Sequence, residues 1–526
     1  MNFLQRCWQK RWLRRLTWTV VTLTALIASL YARVNASGAR QLRNVEAMLK
    51  AEGETLDFRE TMNEPVPEAE NFCAIPLLKD LALIVDNDTN KGAPGENRKR
   101  LMAMKLPSSA KGVAHPPKYA NAAIGKHTDF KAWAEFLRKE GSLPMPVDSG
   151  DAARDVLAAL AKHDAIVQEL ASGLSRPKAQ WTPEWKTREL LPELLFGIEF
   201  PHFSSILDVN RTLSFRAAVA ARIGDAPKAQ EAALIIARMT QAALNEPFVI
   251  GLLVGVSGTE MLHVATWELC AAHAGTAEDF ARLEAALTAL DVRCATLRAY
   301  RSEMTAGVNA IQLCKRKPEK IRGIFSENVL TGDQPNGGVF SHLSQRAIPS
   351  GLLDASTAVL AEQEFKHIIK PLRDEGWSSL YKAAQEWKKK MTEMKEQVWP
   401  HPCYIIVALT SPAVTSFINM VIYRQALVNQ SVIACALERY RIEKGSYPDS
   451  LDAVRLADGK PLPLDPITEK PMGYRKTADG RYALWSVGFD GKDDGGKRTL
   501  NEKKPENTQF HKADYVGDWV WDFPAE

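Results

Sequence analysis

The chain has 526 residues, too many for one small core, and its 45% hydrophobic and 25% charged residues are those of folded protein rather than long disorder. Its 67 Lys and Arg against 63 Asp and Glu leave a formal net charge of +4, part of it in one N-terminal cluster, so no nucleic-acid surface is expected. Seven cysteines (Cys7, Cys73, Cys270, Cys294, Cys314, Cys403 and Cys435) show no CxxC or other metal-type spacing. They read as small buried apolar residues; in an exported body the six after Cys7 are also able to pair, and spacing alone does not choose partners.

In chain order, Arg6, Lys10, Arg11, Arg14 and Arg15 precede the uncharged run LTWTVVTLTALIASLYA, residues 16–32. A basic flank, then an apolar run with Trp12 and Trp18 at one end and Tyr31 at the other, predicts a helix anchored in a bacterial inner membrane with the flank in the cytoplasm. The body would then be single-pass and face the periplasm. A cleaved signal peptide ending at Val34-Asn35-Ala36 is the alternative; Arg33 argues against it, because cleavage regions are usually uncharged.

Residues 34–149 read as a linker and mixed helical region, with a helix near Ala39–Glu52 that continues the anchor and an exposed polar run, DNDTNKGAPGENRKR. From 150 to 400 the periodicity is helical, predicting five to eight packed helices, hairpin-rich, with a repeat-like arrangement as the alternative. The clearest hairpin is SSILDVNRTLSFRAAVAARI, Gly224-Asp225, then APKAQEAALIIARMTQAALN. The run after Pro247 is too short when uncharged to span a bilayer and reads as a buried helix. Thr276 and Asp279 form a capping-box start for a helix drawn as far as Cys314. The apolar stretch Cys403–Tyr423 is long enough for a second crossing, but Pro412, Asn419 and its Ser/Thr content favour a buried helix.

Residues 401–526 are predicted to form an α+β module with a long N-terminal helix. That helix runs from about Ser416 to Lys444, Gly445 ends it, Tyr447-Pro448 turns the chain, and Asp449 caps a short helix through Val454. Asp465-Pro466 opens a strand at Met472–Lys476, and Asp479-Gly480 leads into a second at 482–487. This order of helix end, YP turn, DP turn and LWSVG strand resembles the globular domain of the type II secretion major pseudopilin. No prepilin processing site stands at the N-terminus, so the module reads as borrowed rather than as a filament subunit. As a whole the chain resembles uncharacterised membrane-anchored bacterial envelope proteins.

The loop FDGKDDGG places Asp490, Asp493 and Asp494 within five residues, among glycines that allow tight turns, and calcium takes six to eight oxygen ligands. The resemblance implies a calcium ion held by Asp490 and by backbone oxygens from Leu484 to Val487, with Asp514 or Asp518 closing the site. Elsewhere three Glu-x-x-His spacings, Glu199–His202, Glu260–His263 and Glu364–His367, raise a two-metal carboxylate site, against satisfied or exposed histidines as the commoner outcome. No hydrolase elbow, zinc-protease, phosphate-loop or dinucleotide motif is present. The expectation is a mainly α, non-enzymatic envelope protein whose C-terminal module, calcium-stabilised, contacts unidentified envelope proteins. A helical binding scaffold with a structural cap, and an enzyme with a site among the helices, are the alternatives.

Overall fold

The computed structural model describes residues 11–79, 81, 95–107, 115–182, 200–317, 348–397, 401, 403–404 and 414–523. Residues 86–94 of the polar run, Glu199 and the apolar stretch 405–413 lie outside them. The protein is mainly helical, with a small three-stranded antiparallel sheet near the C-terminus. The helices are α1 (Arg11–Ala51), α2 (Glu96–Met102), α3 (Phe130–Glu140), α4 (Ala152–Leu160), α5 (Asp164–Ser172), α6 (Pro201–Arg222), α7 (Ala226–Leu244), α8 (Val249–Ala271), α9 (Ala277–Thr288), α10 (Val292–Arg316), α11 (Ser350–Glu364), α12 (Trp377–Glu396) and α13 (Val414–Lys444).

Helix α1 joins two environments. Over 41 residues it extends about 60 Å, and in its first half Leu16, Trp18, Leu23, Leu26 and Leu30 are all more than half exposed. Its second half is packed, with Val45 and Leu49 in the core. Where α1 crosses α11 the backbones touch: a Cβ on Gly38 would lie 1.8 Å from the Gly351 carbonyl oxygen, so only glycine fits. The Gly351 N–H donates to Asn35 Oδ1 at 2.8 Å. Beyond α1, buried Glu54 accepts from Arg301 at 2.7 and 2.8 Å and from Arg373 at 2.9 Å, while Glu52 takes Arg373 at 2.9 Å and Lys370. This fixes the root of the helix to the body.

The expected hairpin forms: α6 and α7 are antiparallel across Gly224-Asp225, and Asp225 caps α7 at the Lys228 N–H. Helix α8 lies against both. Cβ atoms on Gly255 and Gly258 would meet Leu244 and Thr240 of α7 at 2.5 and 2.4 Å, so the apolar run after Pro247 is consumed by close helix packing. Helices α2, α4 and α5 coat α6 and α7, and Phe72, Leu78, Leu101 and Trp133 are fully buried, so much of the region expected as a linker belongs to the core.

Two expectations change. The helix drawn from Thr276 to Cys314 is broken at residues 289–291, where Asp291 caps α10 at the Cys294 N–H. With this break and the two short helices α4 and α5, the described part of 150–400 holds nine α-helices, not five to eight. The capping box at Thr276 and Asp279 is present.

Helix α13 packs against α8, α9 and α12 and ends at Gly445, whose φ of +79° is the left-handed conformation and whose N–H donates to the Arg441 carbonyl at 2.8 Å. Ser450, not Asp449, caps the next turn, Leu451–Ala453, because the Asp449 side chain points to solvent. Strands β1 (Gly473–Lys476) and β2 (Tyr482–Ser486) pair with Tyr474 opposite Leu484. A third strand, β3 (Trp519–Trp521), was not anticipated; it pairs on the other side of β2, Leu484 opposite Trp521. Three residues flanked by Gly and Asp carry too little alternation to read as a strand. The largest apolar cluster runs from Phe72 through α6–α9 and α13 to Tyr482 and Trp521, so α13 and the sheet share one core with the helical body.

Candidate functional site

Four of the five acids proposed for calcium gather at one corner. Asp490 accepts from the Lys492 N–H at 3.1 Å with one oxygen and from the Gly517 N–H at 3.3 Å with the other, closing the loop onto the segment before β3. Asp493 Oδ1 accepts from Trp485 Nε1 at 2.8 Å and from the Gly495 N–H at 2.9 Å. Asp518 is fully buried and accepts backbone N–H groups of Gly496 at 2.7 Å, Lys497 at 3.3 Å and Asp494 at 3.4 Å. Burial, with the Asp493 charge adding, pushes the Asp518 carboxyl up in pKa, while its amide donors pull it down.

The Asp494 carboxylate has no partner among the described residues. Asp514 leaves the cluster altogether and lines an open groove of about 710 Å³ with Lys388, Lys395, His511 and Lys512. Because β2 is the central strand, the carbonyls of Leu484 to Ser486 face its two neighbours. Asp490, Asp493 and Asp518 are thus each held by N–H donors of the loop and of its neighbouring segments.

The described residues of the Glu-x-x-His pairs do not gather into one group. His202 on α6 is buried beside Trp181, and burial lowers its pKa to about 3. His367 packs on Trp387, in the turns after α11. Glu364 is buried near Tyr300, and desolvation, with the Glu303 charge adding, raises its pKa to about 8. No group of three or more His, Cys, Asp or Glu among the described residues is arranged to hold a metal ion.

Glu260 and His263 reach a half-open cavity of about 260 Å³ between the segment Tyr119–Ala123, α6, α8 and α13. They do not bond each other. Glu260 pairs with Arg424 at 2.6 Å; His263 Nδ1 lies 3.1 Å from the Leu427 carbonyl and 3.0 Å from Ser431 Oγ. Ser431 already donates to that carbonyl at 2.9 Å, so Nδ1 carries the proton and Nε2 is left as acceptor. Burial lowers the His263 pKa to about 3, which keeps the ring neutral and makes it a poor proton carrier near neutrality. With Tyr119, Arg211, Phe215 and Tyr423 on the walls, the cavity suits a small, largely apolar molecule with a few polar groups.

Family models, curated proteins and solved structures yield no match to this chain.

Sequence reasoning singled out Glu260 and His263 but not Arg211, Tyr423 or Arg424. These come from helices far apart in the chain, and no local pattern marks them.

Proposed function

We propose that the chain is a non-enzymatic, membrane-tethered bacterial envelope protein, held in the inner membrane by residues 16–32 with its body in the periplasm, and that its C-terminal pseudopilin-like module serves protein interaction. The observation that carries the tether is α1. One continuous helix leaves its apolar half exposed and buries its other half in the body, and no other surface covers Leu16 to Leu30 among the described residues. Two more helices, Val249–Ala271 and Thr415–Lys444, are long and apolar enough to cross a membrane, but 61% and 89% of their apolar windows are buried inside the protein, against 0% for α1. The basic flank sets the cytoplasmic end.

The pseudopilin-like reading draws on the helix ended by Gly445, the turn at Tyr447-Pro448 and the sheet folded onto that helix. Because α13 is enclosed by α8, α9 and α12, a partner meets this module through what stays exposed: the outer face of β1 and the acidic corner at Asp490, Asp493 and Asp494, where calcium would bind. The second reading, a helical binding scaffold with the module as a structural part, is favoured by the shared core and by the cavity at His263.

Fractionation of cells, with protease added to spheroplasts, tests the tether and its orientation together. The full chain should sediment with membranes and lose its body to external protease, while a chain lacking residues 11–32 should be soluble; a body protected in intact spheroplasts overturns the orientation.

A further inference from the structure

Helices α8 and α13 run side by side in the same direction, because two hydrogen bonds pair them in order: His263 with Ser431 at 3.0 Å, then His273, just past the end of α8, with Glu438 at 3.1 Å. Cys270 lies three residues before His273 and Cys435 three residues before Glu438. Cys270 also stands seven residues beyond His263 on α8, and Cys435 four beyond Ser431 on α13, so each thiol lies on the face of its helix that carries the bonded pair. Both residues are fully buried, and the Cys435 thiol bears on the ionisation of Cys270 as a near neighbour. The remaining described cysteines sit elsewhere: Cys314 in a separate apolar cluster, Cys73 against Gln180, Cys294 exposed and Cys403 half-buried.

We propose that Cys270 and Cys435 are a disulfide-forming site that staples α13, and with it the C-terminal sheet, to the helical body. The oxidant is a disulfide, either oxidised glutathione or a protein dithiol–disulfide carrier. One thiolate attacks it and releases a thiol; the second attacks the resulting mixed disulfide and releases the other. Two cysteine thiols lose two electrons and two protons, and the oxidant's disulfide becomes two thiols. The bond would enclose the segment from α9 to the middle of α13, a long loop, the arrangement in which a cross-link restricts the unfolded chain most.

Timing follows from burial. Desolvation is the main reason the Cys270 thiol resists ionisation, and no oxidant reaches either sulfur through a closed seam. The bond therefore forms as α8 and α13 dock, and the folded protein keeps whichever state it folded in. Formation in cells rests on the export reading, since cytosol keeps thiols reduced; formation in vitro does not.

The test is refolding of the full chain in detergent, in a mixture of oxidised and reduced glutathione or in excess reductant, followed by protease digestion and mass spectrometry without reduction. The expected result is a linked pair of peptides bearing Cys270 and Cys435, lighter by two hydrogens, with a higher melting temperature than the reduced form. Natively folded reduced protein held in the same mixture for the same time should stay unlinked, and Cys435→Ala should abolish the link while leaving Cys73 and Cys314 unlinked. Refolded wild type in which both thiols remain alkylatable after denaturation, or in which either links to a different cysteine, overturns the proposal. Protein alkylated at the moment of cell lysis separates the two readings: a link found in vitro but absent in cells supports the site and counts against export.

Discussion

At the scale of single residues, burial decides the titration of Glu364, His202 and His263. Glu364 has a folded pKa of about 8 against an ordinary 4.5, so between those values the folded state holds a proton that the unfolded state has lost. Stability attributable to this group falls as pH rises through that window, at about 1.4 kcal/mol per unit, and levels off above it. Glu364→Gln removes the slope: it should leave the melting temperature near that of wild type at pH 5 and raise it at pH 8. Equal shifts at both pH values would show that Glu364 ionises normally. His202 and His263 act in the opposite direction. Both stay neutral in the fold until pH falls to about 3, while the unfolded chain takes up protons from about 6.5. Each costs about 1.4 kcal/mol per pH unit over that range. A hydrogen–deuterium exchange or unfolding series should show acid lability beginning near pH 6.5, reduced in His202→Leu.

Among the elements, the crossing of α1 over α11 has the least tolerance. Even Gly38→Ala places a carbon against the Gly351 carbonyl, and separating the helices also breaks the Asn35 bond. The expected cost is about 1–3 kcal/mol, with new proteolytic cutting at Arg40 and Arg43 while the membrane fraction is unchanged. The end of α13 is a milder case: Gly445→Ala meets no neighbouring atom but must hold φ at +79°, which should cost about 1–2 kcal/mol in thermal unfolding. At the acidic corner, millimolar calcium should raise the melting temperature of wild type and leave a chain carrying Asp493→Asn and Asp494→Asn unmoved. No rise in wild type removes calcium from the account.

The whole molecule behaves as one body with one stalk. Because Val432, Leu437, Tyr482 and Trp521 belong to the same apolar cluster as α6–α9, cutting the chain before α13 strips the faces of α8 and α9. A chain ending at residue 413 should be insoluble or unfolded rather than a competent helical domain, as circular dichroism and size-exclusion chromatography would reveal. Interaction is therefore better mapped by substitutions in the exposed loop 490–496 than by deletion of the module.

The sequence by itself determined the features whose cause is local. The uncharged run after Arg15 makes the exposed half of α1, Asp225 and Thr276 start helices where their side chains reach the next turn, and Gly445 ends α13 because only glycine readily takes its φ. Alternating residues around Asp479-Gly480 give the hairpin. Other features were decided only by tertiary structure, since they depend on partners distant in the chain. Trp519–Trp521 becomes a strand because β2 offers it an edge. Asp514 turns away from Asp490 while Asp518 is drawn into the loop by three amide groups. Glu260 finds Arg424 instead of His263, and two cysteines 165 positions apart meet in one seam because the hydrogen bonds of His263 and His273 set the register of α8 on α13. Periodicity states which face of a helix is buried; it does not state what that face is buried against.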